Sequence, residues 1–141
     1  MNYTIDANAI LNITRELKKD AVEVLENRST VTLAPYEVGN AIWKECNLLD
    51  ELDSEKASEI LGFVGSMMEH MKVKSLRRAG LLEEAFRTAI EKDITYYDSA
   101  YLVVADKNDE ILVTDDGKLQ NTATEAGVKA ISSVEMLENT S

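Results

Sequence analysis

Histidine, cysteine and proline are almost missing from this 141-residue chain, which contains one of each: His70, Cys46 and Pro35. A single cysteine leaves no internal disulfide to form, which is typical of proteins from a reducing compartment. No second histidine, cysteine or carboxylate stands at metal-ligand spacing from His70, so neither a zinc site nor a histidine-based hydrolase is predicted. Cys46 lies on an apolar helical stripe and is expected in the core.

Long apolar runs are missing as well. No segment approaches the roughly 20 apolar residues of a membrane-spanning helix. The opening residues, MNYTIDANAI, have neither the basic start nor the cleavage site of a secretory signal. We therefore expect a cytoplasmic protein without membrane contact. With no linker rich in proline, glycine or serine, the length predicts one domain over residues 1–141.

Positive charge is scarce, because 15 Lys and Arg face 26 Asp and Glu, for a formal net charge of -11. Broad electrostatic binding to nucleic acid needs basic surface, so the balance speaks against it unless metal ions bring positive charge locally. An acidic surface also suits a basic protein partner. The dense basic cluster comprises Lys72, Lys74, Arg77 and Arg78, and Lys44 stands apart from it.

Apolar periodicity predicts strands that alternate with helices along the whole chain. Strands are predicted at residues 3–5, 31–34, around 73, 111–114 and 128–131. Helices are predicted at residues 9–25 (one or two), from 35 to about 49, after 53–54, at 79–90, 97–107 and 119–126, with a terminal turn at 134–137. This alternation is typical of an α/β fold with a mainly parallel sheet and helices on both faces. Met67, Met68 and Met71 are expected in its core.

Acidic side chains follow the predicted strands. Asp6 ends the first strand, Glu37 lies in the first helical turn after the second, and Asp115 and Asp116 end the fourth. Asp98 opens the helix that leads into that fourth strand. Ligands of parallel sheets bind outside the carboxyl ends of the strands, where we expect these acids to meet. The alternative explanation is helix capping and favourable helix-dipole interactions.

Clustered carboxylates repel one another, and a hard divalent cation compensates that repulsion. Oxygen ligands suit Mg²⁺ or Mn²⁺. The pattern therefore predicts a magnesium or manganese site, with capping as the alternative for each acid taken alone.

The chain resembles the PIN-domain family, and especially the VapC toxins of toxin–antitoxin pairs. The likeness rests on four segments in order: IDAN at residues 5–8, PYEV at 35–38, YDSAY at 97–101 and LVTDD at 112–116. Their order and spacing extend the resemblance over nearly the whole chain.

The resemblance implies a three-layer α/β/α sandwich and a metal-dependent ribonuclease that cuts single-stranded RNA. It implies metal-binding or catalytic roles for Asp6, Glu37, Asp98 and Asp116. Asn8 and Thr114 would support these acids by hydrogen bonding, and Asn121 is a further residue that could reach the same rim. Asp115 either shares the metal or faces solvent. The partners implied are RNA, a small antitoxin that occludes the site, and a second copy of the chain in a homodimer.

Two other functions remain open at this point. In a haloacid-dehalogenase-like phosphatase, Asp6 would be the nucleophile, but that family has an Asp where this chain has Asn8, and the required lysine cannot be assigned. A receiver domain needs its acceptor Asp on a middle strand, where none fits. The second open function is a non-catalytic binding module that keeps the fold and the acids.

Overall fold

A parallel β-sheet organises the protein. In the computed structural model, which describes residues 1–140, five strands pair in the order β3-β2-β1-β4-β5, and every pair is parallel. The strands are β1 Tyr3–Ile5, β2 Ser29–Val31, β3 Lys72–Lys74, β4 Ile111–Val113 and β5 Ala130–Ile131. The predicted parallel α/β fold is confirmed.

Helices flank the sheet and complete a three-layer α/β/α arrangement. The helices within residues 1–140 are α1 Ala7–Leu17, α2 Ala21–Leu25, α3 Ala34–Asn47, α4 Ser54–Met68, α5 Leu76–Ala79, α6 Leu82–Lys92, α7 Tyr96–Lys107, α8 Gly117–Glu125 and α9 Ser133–Thr140. Helices α1 to α4 contact one another, whereas α6 packs on α7, which lies against β1, β2 and β4. No helix in this part of the chain has the length and hydrophobicity needed to cross a bilayer.

The core lies between the central strands and the helices on both sides. Strands β1 and β4 are buried almost throughout, as expected for central strands covered on both faces. Met67, Met68 and Met71 are buried in this core, which confirms their predicted packing role. His70 is exposed, and Cys46 is partly buried against the core as a free thiol.

The second strand begins two residues earlier than predicted, because its first residues are polar but buried. Thr30 donates a hydrogen bond of 2.7 Å from its hydroxyl to the carbonyl oxygen of Ile5. The Ser29 hydroxyl donates to the Glu110 carboxylate at 3.3 Å. These bonds satisfy both hydroxyls, so hydrophobicity alone misplaces this strand. Ala34 starts α3 instead of ending β2.

The predicted helix at residues 79–90 corresponds to α6, which begins three residues later, at Leu82, and a separate short helix, α5, precedes it. Helix α5 ends at Gly80, whose φ of 73° is the left-handed conformation that favours glycine. Helix α6 then buries Ala85 and Ala89. Its large apolar side chains face solvent instead, with Phe86 58% exposed.

Two further boundaries differ from prediction. The predicted helical region at residues 9–25 divides into α1 and α2 at a 3-10 turn, Lys18–Asp20, which settles the one-or-two-helix alternative. The terminal turn is a longer helix, α9. Ser132 accepts a hydrogen bond from the Glu135 backbone N–H, and Glu135 accepts one in return from the Ser132 N–H at 3.4 Å, a reciprocal cap that stabilises the start of α9.

Candidate active site

The four predicted acids meet at the carboxyl edge of the sheet. Asp6 follows β1 directly, Asp116 follows β4 after a short turn, and Glu37 and Asp98 occupy the first turns of α3 and α7. All four line one open cavity of about 590 Å³. Residues separated by more than a hundred positions therefore share one solvent-accessible space.

Asp6 is the most deeply placed of these acids, with 8% of its surface exposed. Its carboxylate caps α1 by accepting a hydrogen bond of 2.9 Å from the Ala9 N–H. Burial raises the pKa of Asp6 to about 6, against the lowering effect of hydrogen bonds from the Thr114 side chain and the Ala9 backbone. Asp6 is thus a cap and also a carboxyl group whose ionisation is costly in this protein.

Glu37 is held by a residue from another helix. The Tyr101 hydroxyl on α7 donates a hydrogen bond of 2.7 Å to Glu37 Oε1 on α3. Burial raises the pKa of the Glu37 carboxyl and the charge of Asp98 adds to that rise, while the Tyr101 bond opposes it. Tyr101 is buried at the wall of the cavity, and its pKa is raised first by burial and then by the negative charge of Glu37, so it stays a donor.

Asp98 is not the N-cap of its helix, so simple capping does not explain it. Thr95 caps α7 by accepting a hydrogen bond of 3.0 Å from the Asp98 N–H. The pKa of the Asp98 carboxyl is raised by burial and by the charge of Asp116, and it is lowered by the Thr95 side chain and by Lys118. The charges of Asp115 and Asp98 also raise the pKa of Asp6, and the charge of Asp98 raises that of Glu37. The acids therefore interact as one electrostatic cluster.

Asp116 and Thr114 form the turn after β4. Asp116 caps α8, accepting hydrogen bonds from the Lys118 N–H at 2.9 Å and the Leu119 N–H at 3.4 Å. The fully buried Thr114 accepts a bond of 3.2 Å from the Asp116 N–H and also bonds the Asp6 carboxylate. One hydroxyl thereby links two of the acids, in the supporting position expected from the sequence.

Asp115 points to a different place. Its carboxylate accepts hydrogen bonds from Asn12 Nδ2 at 2.7 Å and from the N–H and hydroxyl of Ser133, both at 2.8 Å. It lines a second cavity, beside α9, and is absent from the residues that line the acid cavity. The structure assigns Asp115 to anchoring α9. Asn8 lines the acid cavity, whereas Asn121 is exposed outside it.

The donor set suits a hard divalent cation. The four acids offer carboxylate oxygens alone, and their mutual repulsion is the kind that a cation relieves. Within residues 1–140, no three histidine, cysteine or acidic side chains form a ready-made metal cage. Mg²⁺ commonly takes only one or two protein carboxylates and keeps water or substrate phosphate as its other ligands, so an open arrangement is compatible with it.

Positive charge at the cavity is sparse. Lys44 lines it, and Lys118 lies near enough to Asp98 to lower the pKa of that carboxyl. Glu45 also lines the cavity, but a salt bridge with Arg15 engages its carboxylate. The basic cluster of Lys72, Lys74, Arg77 and Arg78 does not contribute to the cavity wall. Two of its lysines instead lie on the edge strand β3, where such residues discourage pairing with another sheet.

No family model matches the chain. Two curated proteins from Pyrobaculum aerophilum do. One, named Exonuclease VapC9, is 32% identical over 119 residues, which is 84% of this chain and 84% of that protein. The other, named Ribonuclease VapC3, is 33% identical over 126 residues, or 84% of this chain and 92% of that protein. The chain belongs to the VapC family of PIN-domain proteins.

A solved structure supports the VapC assignment at the level of the fold. The crystal structure of PAE2754 from Pyrobaculum aerophilum matches with a TM-score of 0.77 and 27% sequence identity, and the match covers 99% of this chain and 94% of that one. The resemblance that the four segments carry is thereby confirmed, and with it the expected PIN-like fold.

Sequence reasoning missed the contacts that hold this VapC site together. The YDSAY segment showed an aromatic residue three positions after Asp98, but nothing local indicated that Tyr101 bonds Glu37, 64 positions earlier. The pairing of Arg15 with Glu45 across 30 positions had no signal either. Contacts between distant helices leave no short motif in a single sequence.

Proposed function

We propose that this VapC-family chain is an endoribonuclease that hydrolyses phosphodiester bonds in single-stranded RNA and acts as the toxin of a toxin–antitoxin pair. The observation that carries the proposal is the convergence of Asp6, Glu37, Asp98 and Asp116 on one open cavity. The names of the two relatives, an exonuclease and a ribonuclease, support nuclease chemistry.

Asp6, Glu37, Asp98 and Asp116 would hold Mg²⁺ or Mn²⁺. The bound ion would supply Lewis-acid stabilisation of phosphate charge and a water of lowered pKa. The Thr114 hydroxyl holds Asp6 and Asp116 in position relative to each other, and the Tyr101 hydroxyl fixes one oxygen of Glu37. Asp98 or Asp116 orients the attacking water. Since water is the nucleophile, the products carry 5′-phosphate and 3′-hydroxyl ends.

Cleavage of labelled single-stranded RNA with Mn²⁺, with Mg²⁺ and with EDTA tests the proposal. The key variant is Asp98→Asn, and its matched control is Asp106→Asn, which changes an exposed acid on the same helix outside the cavity. We expect metal-dependent cleavage that Asp98→Asn loses and Asp106→Asn keeps. Equal activity in the two variants would place the chemistry elsewhere. A folded wild type that binds metal and cuts no RNA would support the non-catalytic binding module.

The names of the relatives leave open whether cutting begins inside the strand or at an end. A circular single-stranded RNA has no ends, so only an endonuclease can linearise it. We expect linearisation, with product ends that a 5′-phosphate-dependent exonuclease degrades. An enzyme that shortens linear RNA from one end and leaves the circle intact would be an exonuclease instead.

The antitoxin proposed here is a small protein with a basic segment that enters the acid cavity. The formal charge of -11 and the sparse lysines at the cavity favour such a partner over free polyanions. Co-expression with a small open reading frame next to the gene should yield a complex in which RNA cleavage is suppressed. Replacing the central basic residues of that segment with acidic residues should restore cleavage.

A homodimer is proposed from the exposed apolar stripe on α6. Leu82, Phe86 and Ile90 recur at every fourth position of α6 and are exposed. A contiguous apolar patch of this kind is normally covered by another protein surface. Sedimentation velocity should show a dimer for the wild type and a monomer for Phe86→Glu. The control Lys92→Glu, on the polar part of the same helix, should stay dimeric. A monomeric wild type at all concentrations would refute the proposal.

A further inference from the structure

Two exposed tyrosines border the acid cavity. Tyr36 is 77% exposed and Tyr97 is 56% exposed, and both line the cavity wall. Tyr36 directly precedes Glu37 on α3, and Tyr97 directly precedes Asp98 on α7. Each tyrosine therefore directly precedes an acid of the site in the chain, and the two tyrosines lie on different helices. The third tyrosine at this wall, Tyr101, is buried and engaged with Glu37.

Neither exposed ring has a structural role that would explain its position. Within residues 1–140, no hydrogen bond from the Tyr36 or Tyr97 hydroxyl and no ring contact of either residue is present, whereas the Tyr3 ring packs under Arg28. The chain has five tyrosines, two phenylalanines and one tryptophan, and three of these eight aromatic residues, Tyr36, Tyr97 and Tyr101, line this one cavity. Exposed apolar surface that borders a groove or cavity marks a ligand-binding site more often than singly scattered exposed residues do.

The net charge of the protein indicates what a contact between these tyrosines and a ligand contributes to binding. Proteins that bind nucleic acid mainly through its phosphate backbone neutralise the phosphates with lysines and arginines. Here Lys44 alone among the described residues supplies a cationic side chain to the cavity wall, in a chain of formal charge -11. Apart from the metal ion proposed for the acids, little positive charge is available here to neutralise phosphate, so affinity for RNA needs a further source. Stacking of bases on aromatic side chains is such a source, and it requires unpaired bases.

We propose that Tyr36 and Tyr97 are stacking platforms for the bases on the two sides of the phosphate that is cut. The inference rests on the proposed nuclease function and names how its substrate is held. It explains how a strongly acidic protein binds a polyanion. It also makes the protein selective for single-stranded RNA, because the bases of a duplex are already stacked on one another.

Steady-state kinetics on a short unpaired RNA separates binding from chemistry. We expect Tyr36→Ala and Tyr97→Ala each to raise KM by at least about 5-fold, since stacking on an aromatic side chain contributes roughly that much or more per base. The value of kcat should stay within about 2-fold. Tyr36→Phe and Tyr97→Phe keep the ring and should keep the wild-type KM. Tyr96→Ala, at a neighbouring tyrosine outside the cavity wall, is the matched control.

A binding assay gives a readout that does not depend on cleavage. An unpaired RNA with one 2-aminopurine should lose fluorescence when it binds in EDTA, and this quenching should diminish in the two alanine variants. The salt dependence of binding should be shallow, with a slope of about one or two in log–log form instead of the steeper slope of a protein that contacts many phosphates.

The outcomes distinguish this inference from the proposed function. If the wild type cleaves RNA and the alanine variants keep its KM and quenching, the inference is overturned and the nuclease stands. Phenylalanine variants as weak as the alanine variants would also overturn it, since the hydroxyl would then matter and the ring would not. Ring-dependent quenching without any cleavage would support the platforms and overturn the nuclease. No cleavage and no quenching would overturn both.

Discussion

The hydroxyl of Tyr101 on α7 donates a 2.7 Å hydrogen bond to the carboxylate of Glu37 on α3. This contact joins two helices whose first turns each carry an acid of the site. It leaves one Glu37 oxygen engaged and the other available to the cavity. Burial and the charge of Glu37 raise the pKa of Tyr101, so its hydroxyl keeps its proton and stays a donor at pH values where an ordinary tyrosine begins to ionise.

Removing the Tyr101 hydroxyl should reduce metal binding or activity more than it reduces the stability of the fold. We expect Tyr101→Phe to lower Mn²⁺ affinity or activity by roughly 10- to 100-fold, as is usual when a residue that orients a metal ligand is lost. The free energy of unfolding should fall by about 1 kcal/mol, the net contribution of one hydrogen bond. Isothermal titration with Mn²⁺ and urea unfolding measure the two effects. An unchanged Mn²⁺ affinity would show that Tyr101 does not orient a ligand.

Thr114 is expected to act through its hydroxyl, which serves both Asp6 and Asp116. Thr114→Val has nearly the same shape and removes that hydroxyl, so activity should fall by roughly 10- to 100-fold. Thr114→Ser retains the hydroxyl and should recover most of the activity. The RNA cleavage rates of both variants at saturating Mn²⁺ test whether the hydroxyl is required. Similar losses in the serine and valine variants would mean that the methyl group, and therefore packing, is what counts.

Asp6 should destabilise the metal-free protein at neutral pH. Its pKa is about 6 in the folded protein against 3.8 for an ordinary Asp, which corresponds to roughly 3 kcal/mol. The folded state binds more protons than the unfolded state between pH 3.8 and about 6. The contribution of Asp6 to the free energy of unfolding therefore falls as pH rises through this window, and the penalty is complete above about 6.

The variant Asp6→Asn removes this titration and keeps a good N-cap residue for α1. In EDTA we expect it to gain stability over the wild type at pH 8, by up to roughly 3 kcal/mol, and to lose that advantage at pH 3. Urea unfolding across the pH range provides the comparison. An Asp6→Asn variant that is less stable than the wild type at pH 8 would mean that the ionised carboxylate has a stabilising structural role.

Asp115 should contribute to the stability of α9 and not to metal binding. Its carboxylate accepts three hydrogen bonds from Asn12 and Ser133, so Asp115→Ala should lower the free energy of unfolding by about 1 kcal/mol. Hydrogen exchange should show faster opening of the α9 amides, and Mn²⁺ affinity should stay within about 2-fold. Asp106→Ala, at an exposed acid of α7, is the control for loss of charge. A large loss of Mn²⁺ affinity in Asp115→Ala would make it a ligand after all.

Much of the fold was readable from the sequence, since alternating apolar segments of strand and helix length require a parallel sheet with helices around it. The boundaries that were missed have two physical causes. Ser29 and Thr30 are polar residues buried in β2, and their hydroxyls are satisfied by partners distant in the sequence. The start of α6 was predicted three residues too early, at Ala79, because the left-handed φ of Gly80, at the end of the preceding short helix, does not interrupt an apolar pattern.

The sequence by itself determined which acids lie at strand ends and helix starts, because the direction of a parallel sheet brings those positions to one edge. It also determined the family, through four ordered segments. Only the tertiary structure decided which acids face the cavity and which do not. Asp115 and Asp116 are adjacent in the chain, yet the first is bonded to Ser133 near α9 and the second lines the cavity. That division, like the bond from Tyr101 to Glu37, depends on the packing of helices far apart in the chain, which a single sequence does not encode locally.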